Sequence, residues 1–267
     1  MGMRHSSGGI RGPVLLALAL AALAGCASRG EPGLAKVSEE AERKAVAHYN
    51  IGVHHLSRGS TALAIRELQA AVAANPNDPW IHLALAEGYR RKAKIAEAES
   101  HLLRSLEVSP DFHNARLTLS ALYIQTGRFE LAVGEAEKLV DDPTFPAPWQ
   151  ALTNLGYAQF RLGRLGEARA TLQLALEYRA FYWPAILDLA ILDAEVGHKL
   201  EAVEGFKKVL SHDPGPLVVA EVNYRLAEVF IGLGRRKDAL AHLDQSVAAR
   251  PGSSWAKKSV EYQKLLK

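Results

Sequence analysis

Along most of the chain, apolar residues recur every three or four positions in short runs separated by glycine- or proline-containing breaks. Ala64, Leu68, Ala71 and Val72 are one such run, and that spacing lines up one face of an α-helix. The runs come in pairs, and the pairs repeat. Segments starting near Ala45, Pro79, His113, Trp149, Trp183 and Ala220 align at intervals of 34, 34, 36, 34 and 37 residues. Their eighth positions are Gly52, Ala86, Ser120, Gly156, Ala190 and Ala227, and their twentieth are Ala64, Ala98, Ala132, Ala168, Ala202 and Ala239. Gly59, Gly127, Gly163, Gly197 and Gly234 stand near the break inside each pair, with Ala93 the substitute, and Pro76, Pro110, Pro214 and Pro251 close four of the segments.

Each recurrence has a mechanical reading. Small residues at two fixed positions let two antiparallel helices approach closely. Glycine ends the first helix in a left-handed conformation at no steric cost. Proline ends the second, because it lacks an N–H and clashes with the preceding turn. One hairpin cannot bury its apolar face alone, whereas stacked neighbours bury a continuous one.

The period and the small residues at positions eight and twenty resemble the tetratricopeptide repeat. That resemblance implies an all-α, right-handed solenoid of six helical hairpins over 38–253, closed by a C-terminal capping helix over 254–267. In the last stretch Trp255, Val260, Tyr262, Leu265 and Leu266 alternate with Lys257, Lys258, Lys264 and Lys267. The final hairpin needs its stacking face covered, which favours a cap; a helix lying on a membrane surface is the alternative.

The N-terminus is of another kind. Arg4 and Arg11 precede the apolar run Val14–Leu23, followed at once by Leu23-Ala24-Gly25-Cys26. This order predicts a secretory signal peptide over 1–25, and the run is too short to span a bilayer. The last four residues resemble the bacterial lipobox, which implies that Cys26 is lipidated and becomes the first residue of the mature chain. An ordinary signal peptide with an incidental cysteine is the other reading. Cys26 is the single cysteine, so no disulfide forms within the chain. Several fatty chains on one residue give stable anchoring. Ala27, rather than aspartate, follows the cysteine; by resemblance to enterobacterial sorting this implies a periplasm-facing protein of the outer membrane. Residues 26–37 then form a short Ser-, Gly- and Pro-containing tether, and Ser38 before Glu39 and Glu40 predicts the first helix cap.

Charge removes one class of partner. Without Arg4 and Arg11, 30 of the 32 basic side chains remain against 29 acidic ones, and no basic stripe suited to nucleic acid emerges. A search for chemistry is equally negative. Gly232–Lys237 lacks the ending of a phosphate loop and falls at a repeat turn. His54 and His55 are adjacent, so their side chains diverge by about 100° on a helix and cannot clamp one metal. His48 and His82 occupy a packing position, and Asp141-Asp142 before Pro143 reads as a helix stop. No catalytic residue, cofactor, metal or small-molecule substrate is expected, and a monomer is the default.

What remains is protein binding. Tetratricopeptide arrays present the second, fifth, ninth and twelfth positions of each repeat on a concave face. By that resemblance the groove is lined by Tyr49, Val53, Leu56, Trp80, Leu83, Leu117, Ile124, Tyr157, Phe160, Leu187, Ile191 and Tyr224. Tight superhelical winding would instead make some of these core. The lining is apolar for a face that meets water, which suits an amphipathic helix laid hydrophobic side down. The lysine and asparagine that clamp acidic peptide tails in chaperone-binding relatives are replaced by Tyr49 and Val53. Of the charges flanking the groove, Arg90, Arg91 and Arg161 lie in the first four repeats and Glu195, Glu221 and Glu228 in the last two, an asymmetry expected to orient a helical ligand.

Pro143-Thr144-Phe145-Pro146, Thr153-Asn154-Leu155-Gly156-Tyr157 and Pro184–Ala190 resemble the type IV pilus pilotin family, as does a leader followed by six repeats and a last helix. Asn114-Ala115-Arg116-Leu117 departs from the Asn-Asn-Tyr-Gly segment of many members. The resemblance implies a non-enzymatic lipoprotein that binds a secretin subunit and promotes secretin assembly in the outer membrane. The alternative is a lipid-anchored scaffold for another envelope complex, either β-barrel assembly or cell-wall synthase activation.

Overall fold

The computed structural model describes residues 37–266. The leader, Cys26 and the tether to residue 36 lie outside the described residues, as does Lys267. The described part is all-α. Six hairpins follow one another: α1 (Glu39–Ser57) with α2 (Thr61–Ala74), α3 (Pro79–Arg91) with α4 (Ile95–Val108), α5 (His113–Gln125) with α6 (Phe129–Val140). Then come α7 (Pro148–Arg161) with α8 (Leu165–Tyr178), α9 (Trp183–Glu195) with α10 (Lys199–Leu210), and α11 (Pro216–Gly232) with α12 (Arg236–Ala249). A last helix, α13 (Ser254–Leu265), closes the array.

Local chemistry sets the ends. Ser38 Oγ accepts from the Ala41 amide at 3.2 Å to start α1, and Ser253 Oγ accepts from Ala256 N at 3.1 Å to start α13. Within the hairpins the five turn glycines have φ between 72° and 88°. Ala93 takes the same left-handed turn at φ 56°, where a Cβ is strained. Ala93→Gly removes that strain but frees the unfolded chain. We expect a net gain of about 0.5–1 kcal/mol, read as a higher urea midpoint at unchanged slope; a lower midpoint would show that the turn carries no such strain. The sixth hairpin begins earlier than the alignment start near Ala220. Gly215, at φ 88°, turns the chain, and Pro216 presets the first helical turn.

The packing follows the small positions. Every twentieth-position alanine is buried, none more than 1% exposed. A Cβ added at Gly52 would stand 2.6 Å from Leu68 Cγ, and one at Gly156 2.7 Å from Leu172 Cγ, so the paired helices meet where only hydrogen fits. A second brace crosses the hairpins between their fourth and twenty-third positions, residues 19 apart in sequence: His48 with Glu67 at 2.9 Å, His82 with His101 at 3.0 Å, Arg116 with Glu135 at 2.8 Å and Asn223 with His242 at 2.8 Å. The histidines at position four are therefore structural partners of a facing helix.

The enlarged junction between the third and fourth hairpins is built rather than loose. Asp141 caps α6, and the Asp142 carboxylate accepts from Thr144 N and Oγ1 at 2.8 and 2.7 Å and from His113 Nε2 at 2.7 Å. The Thr144 bonds, then that of His113, pull the Asp142 carboxyl down to about 2. Phe145 is buried beside Leu139 and Ala151 with its ring against His113.

Between hairpins, each first helix touches the first helix of the next, through α1, α3, α5, α7, α9, α11 and α13, whereas the second helices do not touch one another. Helices packed closely on one side and splayed on the other curve the stack, with the first helices on the inner side. At the end, α13 lies on α11 and α12. Ser259 Oγ donates to Ser246 Oγ at 2.9 Å, Ser246 Oγ donates to Ala220 O at 2.7 Å, and Tyr262 and Leu266 pack on the last core cluster. Lys257, Lys258 and Lys264 point outward. Among the described residues no helix is long and apolar enough to cross a membrane.

Candidate functional site

The inner side of the stack is a trough. Its central part, about 400 Å³, is lined by Glu87 and Arg90 of α3, by Leu117, Thr118, Ala121 and Gln125 of α5, and by Gln150 and Asn154 of α7, with Tyr182 at its edge. Helical spacing explains the set: the first helices run side by side, so the same few repeat positions project into one space. Asn154 Nδ2 donates to Ser120 Oγ at 3.0 Å, which fixes the amide across α5 and α7. Glu87 holds Arg90 at 2.8 Å and Arg91 at 2.6 Å, and Arg91 Nη1 also donates to the last-turn carbonyl of Leu56 at 2.5 Å.

The trough continues toward the C-terminal hairpins. Tyr157, Phe160, Arg161, Ile191, Glu195 and Arg225 line a stretch of about 340 Å³. A neighbouring stretch of about 280 Å³ shares Ile191, Glu195 and Arg225 and adds Ala194, Lys199, Glu228 and Val229. Arg161 donates to Tyr157 Oη at 3.0 Å and lies 4.6 Å over the Phe129 ring. Arg225 is paired with Glu221 at 2.8 Å and sits 5.4 Å from the Trp255 ring. Burial, then the Glu221 charge, pushes the Asp188 carboxyl up to about 8 against the opposing pull of Arg225. Burial raises Glu228 as well, and burial with the nearby Glu228 charge pushes the Tyr224 hydroxyl up to about 12. This half of the trough is thus crowded with carboxyl groups that repel one another, with aromatic rings as walls.

Several sequence-predicted lining residues lie elsewhere. Leu56 (6% exposed) and Leu187 (8%) are core, because the following hairpin packs across the twelfth and fifth positions there; Ile191 (7%) shows the trough only an edge. Tyr49, Leu83, Leu117, Ile124, Tyr157, Phe160 and Tyr224 are half-buried. Val53 and Trp80 are exposed, Trp80 with its ring edge-on to Phe112 at 4.7 Å. The apolar lining expected from sequence is replaced in the centre by a mixed one. The charge asymmetry also shrinks: Glu87 is shared by Arg90 and Arg91 and offsets one of their two positive charges, and Arg225 neutralises Glu221. Arg161, Glu195 and Glu228 remain without an ion pair among the described residues. Sequence reasoning missed Thr118, Asn154 and Arg225 among the lining residues, all at the sixth repeat position. A signal was available, since that position reads Asn50, Ala84, Thr118, Asn154, Asp188 and Arg225, polar at five of six.

Among the described residues, no group of three or more His, Cys, Asp or Glu side chains is placed to hold a metal. Fold and site together define a class, the helical-hairpin solenoid with a recognition trough on its inner side. The family profile described as tetratricopeptide repeat matches residues 33–79, 83–144 and 117–182, and the chain belongs to that family. Superkiller complex protein 3 of Mus musculus is 26% identical over 114 residues, which are 43% of this chain and 7% of that protein. The chain therefore spans a small fraction of that curated relative. Among solved structures, it is similar to PilW, described as a widely conserved type IV pilus biogenesis factor, with a TM-score of 0.71 and 21% identity over 81% of this chain and 98% of that one. It is also similar to pilF of Pseudomonas aeruginosa, with a TM-score of 0.67 and 17% identity over 85% of this chain and all of that one. At these identities the likeness is one of fold.

Proposed function

We propose that this protein is a lipid-anchored scaffold, attached through Cys26 to the outer membrane and facing the periplasm, whose trough holds an amphipathic segment of a secretin subunit and so promotes secretin assembly for type IV pili. The observation that carries the reading is the extent of the likeness to PilW and pilF, which takes in nearly the whole of both of those chains. The trough supports it physically. A secretin subunit with exposed amphipathic segments is prone to aggregate before it oligomerises. A trough with aromatic and aliphatic walls and polar groups along its floor shields such a segment, and anchoring concentrates the subunits at the target membrane. No covalent chemistry is involved.

The test is the state of the outer-membrane secretin in cells with and without this protein, on a gel that preserves denaturant-resistant multimers. Loss of the multimer with monomer still present is the expected result. An unchanged multimer would overturn the reading and direct the search for the partner to other envelope assemblies.

A further inference from the structure

Hairpin two is braced by two imidazoles. His82 Nδ1 of α3 and His101 Nδ1 of α4 lie 3.0 Å apart, with the rings stacked at 5.3 Å. His82 Nε2 is 3.0 Å from the Pro76 carbonyl oxygen. A carbonyl only accepts, so the bonding network assigns the His82 proton to Nε2 and leaves its Nδ1 as a bare lone pair. His101 must then donate from Nδ1, and its own Nε2 is the one unprotonated nitrogen left over. The neutral pair is complete. One added proton finds a place on His101 Nε2 without breaking the bond. A second would have to sit on His82 Nδ1, setting two N–H groups point to point on a side chain that is 4% exposed. The closed joint therefore accepts fewer protons than the open one. Burial, then the His82 charge, also lowers the tendency of His101 to take even the first.

Among the described residues no charged side chain is hydrogen-bonded to or ion-paired with either ring. Tyr89 stacks on His101 at 5.4 Å and its hydroxyl accepts from Gln69 of α2 at 2.8 Å. The charged groups on the packed elements are engaged elsewhere. Asp78 of the α2–α3 loop caps Trp80 N, Glu67 of α2 holds His48 of α1, and Glu87 of α3 holds Arg90 and Arg91. Lys94 of the α3–α4 turn pairs with Glu97, Glu99 of α4 with Arg128, Arg104 with Glu107, and Arg116 of α5 with Glu135.

We propose that hairpin two is an acid-labile joint that regulates the trough: as pH falls, α4 releases α3, the helix that carries Leu83, Glu87 and Arg90. The regulatory role rests on the trough being the binding face; the joint itself does not. The chain contains its own controls at the same two repeat positions. Hairpin three is braced by Arg116 and Glu135, with no imidazole in the pair, and hairpin six by Asn223 and His242, where the asparagine oxygen still accepts from a protonated ring.

Native-state hydrogen exchange on the protein without a partner tests the joint. Two free imidazoles titrate near ~6.5, so the stability of the closed joint is complete above that pH and is lost below it. With one proton fewer held by the closed form, opening of α3 and α4 should rise about ten-fold per pH unit relative to α5 and α6. His82→Asn, which copies the pair of hairpin six, and the double change His82→Arg with His101→Glu, which copies hairpin three, should both flatten that dependence. If α3 and α4 track α5 and α6 throughout, or if His82→Asn keeps the full slope, the joint is not a proton sensor. Because no partner is present, that failure would leave the secretin reading standing, to be judged on the multimer gel.

Discussion

Ala98→Glu is expected to destabilise the protein by about 4 kcal/mol or more, enough to unfold the second and third hairpins at room temperature. Ala98 is 1% exposed and packs in one cluster with Ala86, Leu102, Ala115, Leu119 and Leu122. The added atoms must displace that packing, at about 1–3 kcal/mol. The carboxylate would also be buried without a partner, or protonated at a further cost of several kcal/mol. In a solenoid the damage spreads, because each hairpin is held mainly by its neighbours. Ala96→Glu is the control: Ala96 is exposed on the same helix, and the change should stay within about 0.5 kcal/mol. Urea unfolding followed by circular dichroism measures both. Equal midpoints for Ala98→Glu and the parent would mean that the twentieth position is not where the helices meet.

On the proposed reading, Ala121→Arg should reduce capture of the secretin subunit at least ~30-fold, the size of a loss of about 2 kcal/mol at an interface centre, while leaving the unfolding midpoint unchanged. Ala121 is exposed in the middle of the trough, between Glu87 and Arg90 on one side and Asn154 on the other. An arginine there fills the space and adds a charge without entering the core. The pair Leu83→Glu with Leu117→Glu is a less clean probe. Both leucines are half-buried and pack on core clusters, so binding and stability would fall together. The measurement is the yield of site-specific crosslinks from the trough to secretin subunits in cells. Full yield with Ala121→Arg would remove the trough from the mechanism.

Much of the architecture was legible in the sequence because it rests on short-range rules. The turn glycines, the small residues at positions eight and twenty and the capping serine Ser38 each act within a turn or two of where they are read. Ala93 illustrates this: it stands out in the aligned sequence as the missing glycine, and in the structure it is forced into the same left-handed turn, at φ 56°. The start of α11 was missed because Gly215 and Pro216 act together as a turn and a helix start outside the repeat pattern.

The site was less legible. Helical spacing decides which residues share a face, and Tyr157 and Phe160 line one stretch of the trough. It does not decide which part of that face the next hairpin covers, because coverage depends on how successive hairpins are rotated against one another. That rotation buries Leu56 and Leu187 and leaves Ala121 open. The charges show the same division. Arg90, Arg91 and Glu221 read as free groove charges along the chain, but Glu87 and Arg225 lie one helical turn away and take them up. The brace between His82 and His101 needed the fold even more, since the two residues belong to different helices and meet only when the hairpin closes. The sequence by itself determined the repeat, its helices and its contact points, since these follow from backbone geometry and residue size. The tertiary structure decided the trough's surface, its remaining charges and the buried imidazole pair, because each depends on distances between helices that no single helix encodes.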